Sequence, residues 1–146
     1  MTRRHFLCTL TVSVITPLSI SSLSQPVSTS GTKHHKIVIQ ISDNDPAKWN
    51  LVLNNAKNLQ DDVGAAQVDI EIVAYGPGIS MLKIESPAGA RIADAIKAGV
   101  QVTACENTMR SQKLLKDDML PAISYVPAGV TEIMRRQSEG WAYLRP

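Results

Sequence analysis

The sequence predicts a single doubly wound α/β domain, with a mostly parallel sheet of about five strands and helices on both faces. Short β-branched and apolar runs alternate with segments in which apolar residues recur at helical spacing. Because one helix separates each strand from the next, we expect parallel pairing through right-handed crossovers. Once residues 1–24 are set aside, roughly 120 residues remain, which is enough for one core and marginal for two.

The first strand and the first helix have the clearest signals. Lys36 to Ile41 is β-branched and apolar, which is typical of a strand covered on both faces. Asp45 followed by Pro46 predicts an N-cap and a first helical position, and Gly64 predicts the end of that helix. The apolar face of this helix is predicted to consist of Trp49, Val52, Leu53, Ala56, Leu59 and Val63.

The remaining elements continue this alternation. Val68 to Tyr75 predicts the second strand, which ends in Gly76-Pro77-Gly78. Ser86-Pro87 repeats the cap-and-proline start for a helix that runs to Lys97. One face of the second strand is predicted to hold Val68, Ile70, Ile72 and Ala74. The other expected elements are a helical turn around 79–84, a strand at 100–104, a helix from near 107 toward 115, a strand at 123–126, a helix at 131–137 and a last strand at 141–144.

The first 24 residues are predicted to be an export signal. The run Thr2-Arg3-Arg4-His5-Phe6-Leu7 matches the twin-arginine pattern, and the uncharged segment that follows is too rich in Ser and Thr for a comfortable membrane span. Small residues at Ser22 and Ser24 predict cleavage near Ser24. Residues 25–34 are then a flexible lead-in and residues 35–146 the folded domain. We expect a periplasmic protein with no membrane attachment after cleavage; the alternative is an uncleaved N-terminal tail.

The charge balance argues against a polyanionic partner. The chain carries 15 Lys and Arg against 13 Asp and Glu, and the predicted signal contains Arg3 and Arg4 but no acid. The exported domain is therefore close to neutral, and no cluster of basic and aromatic residues predicts nucleic-acid binding. No nucleotide-binding glycine motif is present. His34 and His35 lack a third ligand at a suitable spacing, so we predict no metal site and no cofactor.

Cys105 is the candidate for chemistry. It is the only cysteine of the predicted exported chain and it follows the apolar strand at 100–104, which excludes a disulfide within that chain. Ligand sites of parallel sheets lie beyond the carboxyl ends of the strands, near the point where strand order reverses. Backbone N–H groups of the following helix are expected to stabilise a thiolate there and to lower the pKa of the thiol. The alternative is a small buried core residue.

Several neighbours are expected to meet Cys105 at this edge of the sheet. Asn107 and Thr108 either cap the third helix or donate hydrogen bonds to the sulfur, whereas Glu106, if close, would raise the pKa of the thiol. Residues that follow the first two strands are expected to complete a pocket: Asn44, Tyr75, Gly76 and Gly78. The alternative for the Gly-Pro-Gly segment is a simple tight turn.

A combination of segments extends over the whole predicted domain. These are Asp45-Pro46-Ala47-Lys48-Trp49, Asn54-Asn55-Ala56-Lys57-Asn58-Leu59, Val73-Ala74-Tyr75-Gly76-Pro77-Gly78-Ile79, Ala104-Cys105-Glu106-Asn107-Thr108 and Gln137-Ser138-Glu139-Gly140-Trp141-Ala142-Tyr143. Together they resemble the DsrE/DsrF-like sulfur-relay family. The resemblance implies a small doubly wound α/β fold, assembly into homotrimers or homohexamers, and a cysteine that accepts sulfur as a persulfide. Cys105 is the only residue onto which that role can be carried.

The predicted function is that of a sulfur carrier or sulfurtransferase. Cys105 would accept sulfane sulfur as a persulfide and pass it to a partner thiol, and a sulfur donor or acceptor protein would be the partner. One nucleophilic thiol is sufficient for this exchange, whereas a dithiol oxidoreductase needs a resolving cysteine and the chain has no C-x-x-C motif. The alternative is a noncatalytic oligomeric small-ligand-binding or scaffold protein of the same fold.

Overall fold

In the described part of the chain, residues 34–146 of a computed structural model, five parallel strands form one sheet. They are β1 (His35–Ile41), β2 (Val68–Ala74), β3 (Gln101–Cys105), β4 (Ser124–Val126) and β5 (Ala142–Leu144). Their order across the sheet is β4-β3-β2-β1-β5. This sheet confirms the predicted α/β class. The predicted export signal, and the lead-in up to residue 33, lie outside the described residues.

The α-helices of residues 34–146 are α1 (Pro46–Val63), α2 (Gly89–Lys97), α3 (Glu106–Ser111) and α4 (Gly129–Ser138). Short 3-10 helices cover Ala65–Gln67, Gly76–Leu82 and Lys116–Asp118. The predicted start of α1 is confirmed, because Asp45 Oδ1 accepts a hydrogen bond from the Ala47 N–H at 2.9 Å.

Three helix boundaries differ from the prediction. Before α2, Ser86 caps a separate turn, with its Oγ accepting from the Ala88 N–H at 3.2 Å, and the helix begins three residues later. α3 ends at Ser111 because Lys113 adopts a left-handed conformation with φ of 55°. α4 begins at Gly129, two residues before its predicted start at residue 131.

The two faces of the sheet are covered unequally. α1, α2 and α3 pack on one face and contribute to a large apolar cluster that includes Trp49, Ile92 and Met109. This cluster also contains the predicted inward face of β2, namely Val68, Ile70, Ile72 and Ala74. On the opposite face, α4 contributes Ile133 to a cluster whose other buried members are Val38 and Val73. The apolar surface on which α4 packs is therefore small.

The connections after β3 and β4 leave the sheet toward opposite faces. α3 follows β3 onto the face of the large cluster, whereas α4 follows β4 onto the other face and leads to β5 beside β1. Adjacent parallel strands whose connections diverge in this way leave a crevice at their carboxyl ends. In this protein the connections diverge at the pair formed by β3 and β4, whose last paired residues are Cys105 and Val126.

Candidate functional site at the carboxyl end of β3

Cys105 is the last residue of β3 and directly precedes α3. Side chains of a strand alternate between the two faces, so Thr103 and Cys105 point toward the α4 side while Val102 and Ala104 enter the large cluster. The Cys105 residue is 5% exposed. Cys105 is therefore buried at the carboxyl end of β3, beside β4.

The amino-terminal ends of two helices meet at Cys105. α3 begins at the next residue, and Gly129 opens α4 on the other side of the sulfur. A Cβ atom on Gly129 would lie 3.3 Å from the Cβ of Cys105 and 3.2 Å from both the Tyr75 Cβ and the Val73 Cγ1. Only glycine allows the α4 backbone to approach the strands this closely without displacing a neighbour.

Hydrogen bonds to the sulfur favour its ionised form. Burial by itself raises the pKa of the Cys105 thiol, but the Thr108 side chain and the backbone N–H groups of Gly129, Thr108 and Asn107 lower it. The balance places the pKa of this thiol below its ordinary value. The predicted contribution from the following helix is thus joined by one from the start of α4.

Thr108 connects the sulfur to the loop after β2. Its Oγ1 accepts a hydrogen bond from the Gly76 N–H at 2.9 Å, which leaves the hydroxyl hydrogen free to be donated to Cys105. The Gly76 carbonyl accepts from the Gln112 side chain at 3.2 Å, and Gly76 itself has a φ of 53°. The loop, α3 and the thiol therefore form one hydrogen-bonded unit.

The other predicted neighbours of Cys105 each make contacts of their own. The Asn107 side chain accepts a hydrogen bond from Arg110, and its backbone N–H also donates to the Pro127 carbonyl at 3.1 Å. Tyr75 is half-buried beside Gly129. Glu106, which was expected to oppose the thiolate if close, has its carboxylate 4.0 Å from the Lys116 ammonium.

Gly78 and Asn44 lie away from the sulfur. Gly78 is buried, and a Cβ atom on it would be 2.4 Å from the Ile41 carbonyl oxygen, so its part is to let the loop pack on β1. Asn44 is exposed after β1, which is two strands from β3 in the sheet and thus about 9–10 Å away across it. From the predicted set, the structure brings together Cys105, Thr108, Gly76 and Tyr75, with Asn107 adjoining through its backbone N–H.

Comparison with known proteins identifies the family to which this arrangement belongs. The family model described as DsrE/DsrF-like matches residues 35–146. The chain belongs to the DsrE/DsrF-like family. No curated protein matches the chain.

Solved structures share the fold of this DsrE/DsrF-like protein. The protein of unknown function MTH1491 from Methanobacterium thermoautotrophicum is 37% identical with a TM-score of 0.73, over 77% of this chain and 99% of that chain. The conserved protein of unknown function BT1422 from Bacteroides thetaiotaomicron is 13% identical, with a TM-score of 0.63 over 76% and 94% of the two chains. The ychN protein from E. coli is 13% identical, with a TM-score of 0.59 over 77% and 99%. The last two likenesses concern the fold alone.

A buried charged network on the α4 face was missed by sequence reasoning. Glu71 of β2 is 0% exposed; it accepts a hydrogen bond from the Thr103 hydroxyl at 2.7 Å and forms an ion pair with Arg136 of α4. Arg136 Nε also lies 2.9 Å from Glu132 Oε1. The signal was a carboxylate in the middle of an apolar strand, together with Glu132 and Arg136 at helical i, i+4 spacing.

Two open cavities within residues 34–146 of this DsrE/DsrF-like protein lie away from the thiol. One cavity of about 530 Å³ is lined by residues of α1 and α2, and another of about 510 Å³ lies beside α1, β1 and β5. Neither is lined by Cys105. Within residues 34–146, no three His, Cys, Asp or Glu side chains cluster as metal ligands, and no helix there is long and apolar enough to cross a bilayer.

The lowered pKa of Cys105 predicts a pH-dependent contribution to stability. Because the unfolded chain keeps the thiol proton to higher pH than the folded chain, the unfolded state binds more protons between the folded and unfolded pKa values. The free energy of unfolding of the wild type, relative to Cys105→Ala, should therefore rise with pH across this window and level off above it. Urea unfolding of both proteins in reductant, from neutral pH to pH about 10, measures the difference. A difference that falls with rising pH would contradict a stabilised thiolate.

Proposed function

We propose that this protein is a sulfur carrier or sulfurtransferase, in which Cys105 accepts sulfane sulfur as a persulfide and passes it to a partner thiol. Membership of the DsrE/DsrF-like family fits a sulfur-relay role in general. The observation that carries the proposal is the position of one thiol between the first residues of two helices, with α3 beginning at the next residue and Gly129 of α4 packed against Cys105. Helix N-termini favour the thiolate, which is the reactive form of cysteine, and the pKa of Cys105 is lowered in this structure.

The transfer is written as two displacements at sulfur. The Cys105 thiolate attacks the sulfane sulfur of the donor, a sulfur–sulfur bond forms, and the donor's bond to that sulfur breaks with its electron pair leaving on the donor. With thiosulfate the leaving group is sulfite. The thiolate of a partner then attacks the outer sulfur, which releases Cys105 as a thiolate again. No net oxidation of the protein occurs over the cycle, so no second cysteine is needed.

The burial of Cys105 is compatible with this exchange. Cys105 is 5% exposed as a residue, and a persulfide places the reactive atom one S–S bond of about 2 Å beyond Sγ. A partner thiol therefore has to reach the outer sulfur and not Sγ itself.

The second candidate is a noncatalytic oligomeric small-ligand-binding or scaffold protein. Two observations favour it: the open cavities lie away from Cys105, and α4 exposes Val130 and Met134, each 61% exposed. Apolar side chains one helical turn apart on an outer surface are available for a contact between subunits. The resemblance to the DsrE/DsrF-like family implies a homotrimer or homohexamer, and we propose this assembly; light scattering of the purified protein would test it.

We also propose a periplasmic location, which is based on the first 24 residues. The twin-arginine pattern at Arg3-Arg4 supports export and a periplasmic protein that is free of the membrane after cleavage. The amino-terminal sequence of the protein recovered from a periplasmic fraction would test both export and the cleavage position near Ser24.

The decisive experiment is sulfur loading followed by intact-mass spectrometry. The protein is incubated with thiosulfate, a polysulfide or glutathione persulfide, and we expect a mass increase of one sulfur atom that is removed by a low-molecular-weight thiol. Cys105→Ser is the matched control and should show no increase. If the wild-type protein takes up no sulfur from any of the three donors, the carrier function is wrong and the binding role is favoured.

A further inference from the structure

The inward face of α4 carries charged groups where a helix usually carries apolar ones. Gly129, Glu132, Ile133 and Arg136 follow the i, i+3, i+4, i+7 spacing of one helical face. Of these, Ile133 is the member that α4 contributes to the small apolar cluster on this side of the sheet. Hydrophobic packing is non-directional, so this small apolar contact does little to determine where along the strands α4 lies.

At the carboxyl-terminal half of α4, directional polar contacts determine where the helix lies. Arg136 forms its ion pair with Glu71, and its guanidinium lies 4.4 Å from the centre of the Trp141 ring. The other carboxylate oxygen of Glu71 accepts from Thr103, and Gln101 Nε2 approaches the same oxygen at 3.3 Å. The network therefore ties α4 to β2 and β3, the strands on which Cys105 and the adjoining loop depend.

We propose that Glu71 and Arg136 are positioning residues that hold the first turn of α4 against the Cys105 sulfur. The inference deepens the proposed function, since it concerns the thiolate on which that function rests. Arg136 lies seven residues after Gly129, which is about two turns or 10 Å along the helix axis. Because both residues belong to one continuous helix, we expect a displacement at Arg136 to be transmitted to the Gly129 N–H.

The strands allow α4 to move in one direction only. A Cβ atom on Gly129 would already be in tight contact with Tyr75, Val73 and Cys105, so there is little room for the first turn of α4 to move further toward the strands. Loosening the ion pair therefore lets the first turn move away from the sulfur and not toward it. Since the Gly129 N–H stabilises the thiolate, that movement would make the thiol harder to ionise.

Glu71→Gln tests the proposal with little change of shape. The amide has the volume of the carboxylate and still accepts from Thr103, but it loses the charge that holds Arg136. Burial raises the pKa of Glu71 despite the hydrogen bond from Thr103 and the charge of Arg136, so a neutral side chain is expected to be tolerated there. Arg136→Lys is the second variant; it keeps the positive charge but lacks the planar guanidinium that pairs with Glu71, Glu132 and Glu139.

The measurement is the rate of Cys105 alkylation by iodoacetamide as a function of pH, on full-length folded protein. We expect both variants to need a higher pH for the half-maximal rate and to react about threefold more slowly, or slower still, at neutral pH, because a weakened hydrogen bond stabilises the charged sulfur less. The limiting rate at high pH, which reports access to the thiolate, should stay at the wild-type value.

Arg91→Met is the matched control. Arg91 joins α2 to Asn50 and Asn54 of α1 on the opposite face of the sheet, so its loss breaks inter-helix contacts without touching α4. It should leave the alkylation profile unchanged. A wild-type profile in folded Glu71→Gln or in folded Arg136→Lys, or an equal shift in Arg91→Met, would overturn the proposal. If the wild type takes up no sulfur, the carrier function is wrong. The comparison of alkylation profiles would still test whether Glu71 and Arg136 position α4.

Discussion

Replacing Thr108 by Val is expected to slow the alkylation of Cys105 at neutral pH by about tenfold. Val has nearly the shape of Thr but no hydroxyl, so the thiolate loses the side-chain hydrogen bond that contributes most to lowering its pKa. Hydrogen bonds to charged groups contribute about 1.5–3 kcal/mol, and about 1.4 kcal/mol corresponds to a factor of ten. The Gly76 N–H also loses its acceptor, which loosens the loop beside the sulfur.

Thr108→Ser is the control for this prediction. Serine keeps the hydroxyl that accepts from Gly76 and donates to the sulfur, so its alkylation profile should stay close to that of the wild type. The rate is measured with iodoacetamide between pH 5 and 10, a range that covers the ordinary pKa of a thiol at about 8.5. Equal profiles for the Val and Ser variants would show that the hydroxyl does not support the thiolate.

Gly78→Ala is expected to lower the free energy of unfolding by about 3 kcal/mol or more. The added Cβ would lie 2.4 Å from the Ile41 carbonyl oxygen, 2.7 Å from its carbon and 2.8 Å from the Ser42 Cα. All three are backbone atoms at the end of β1, so no rotation of a side chain relieves the overlap. The loop after β2 or the end of β1 has to move.

Gly76→Ala separates this steric effect from the general cost of losing a glycine. Gly76 has a φ of 53° and no atom within 4 Å of an added Cβ, so its replacement costs only the left-handed conformation, about 1–2 kcal/mol. Urea unfolding of the wild type and both variants measures the two costs. A smaller loss for Gly78→Ala than for Gly76→Ala would contradict the close packing of the loop on β1.

Most of the fold was predictable because its signals are local. Asp45 and Pro46 start α1 wherever the chain places it, since the cap is formed with the N–H two residues later. The alternation along β2 likewise shows which residues share a face, before it is known what covers them. Helix ends were less predictable. α3 stops at Ser111 because Lys113 adopts a left-handed conformation, and no sequence pattern predicts that conformation for a lysine.

The candidate site was predictable in part for the same reason. Thr108 lies three residues after Cys105, at the start of the helix that follows the strand, so the two are neighbours in any strand-to-helix turn. Tyr75 and Gly76 follow β2, which pairs with β3 in parallel. Asn44 was predicted by the same logic but follows β1, and the order of the strands places β1 one strand too far from β3.

The sequence by itself determined the alternation of strands and helices, the single thiol at the end of β3 and the hydroxyl that supports it, because these depend on residues close together in the chain. Only the tertiary structure decided that Gly129 is the first residue of a helix seated on Cys105, and that Glu71 meets Arg136 from 65 residues away. Both depend on α4 crossing the face opposite to the other helices. Which face a helix covers is determined by the packing of the whole sheet and not by the residues around the glycine or the carboxylate.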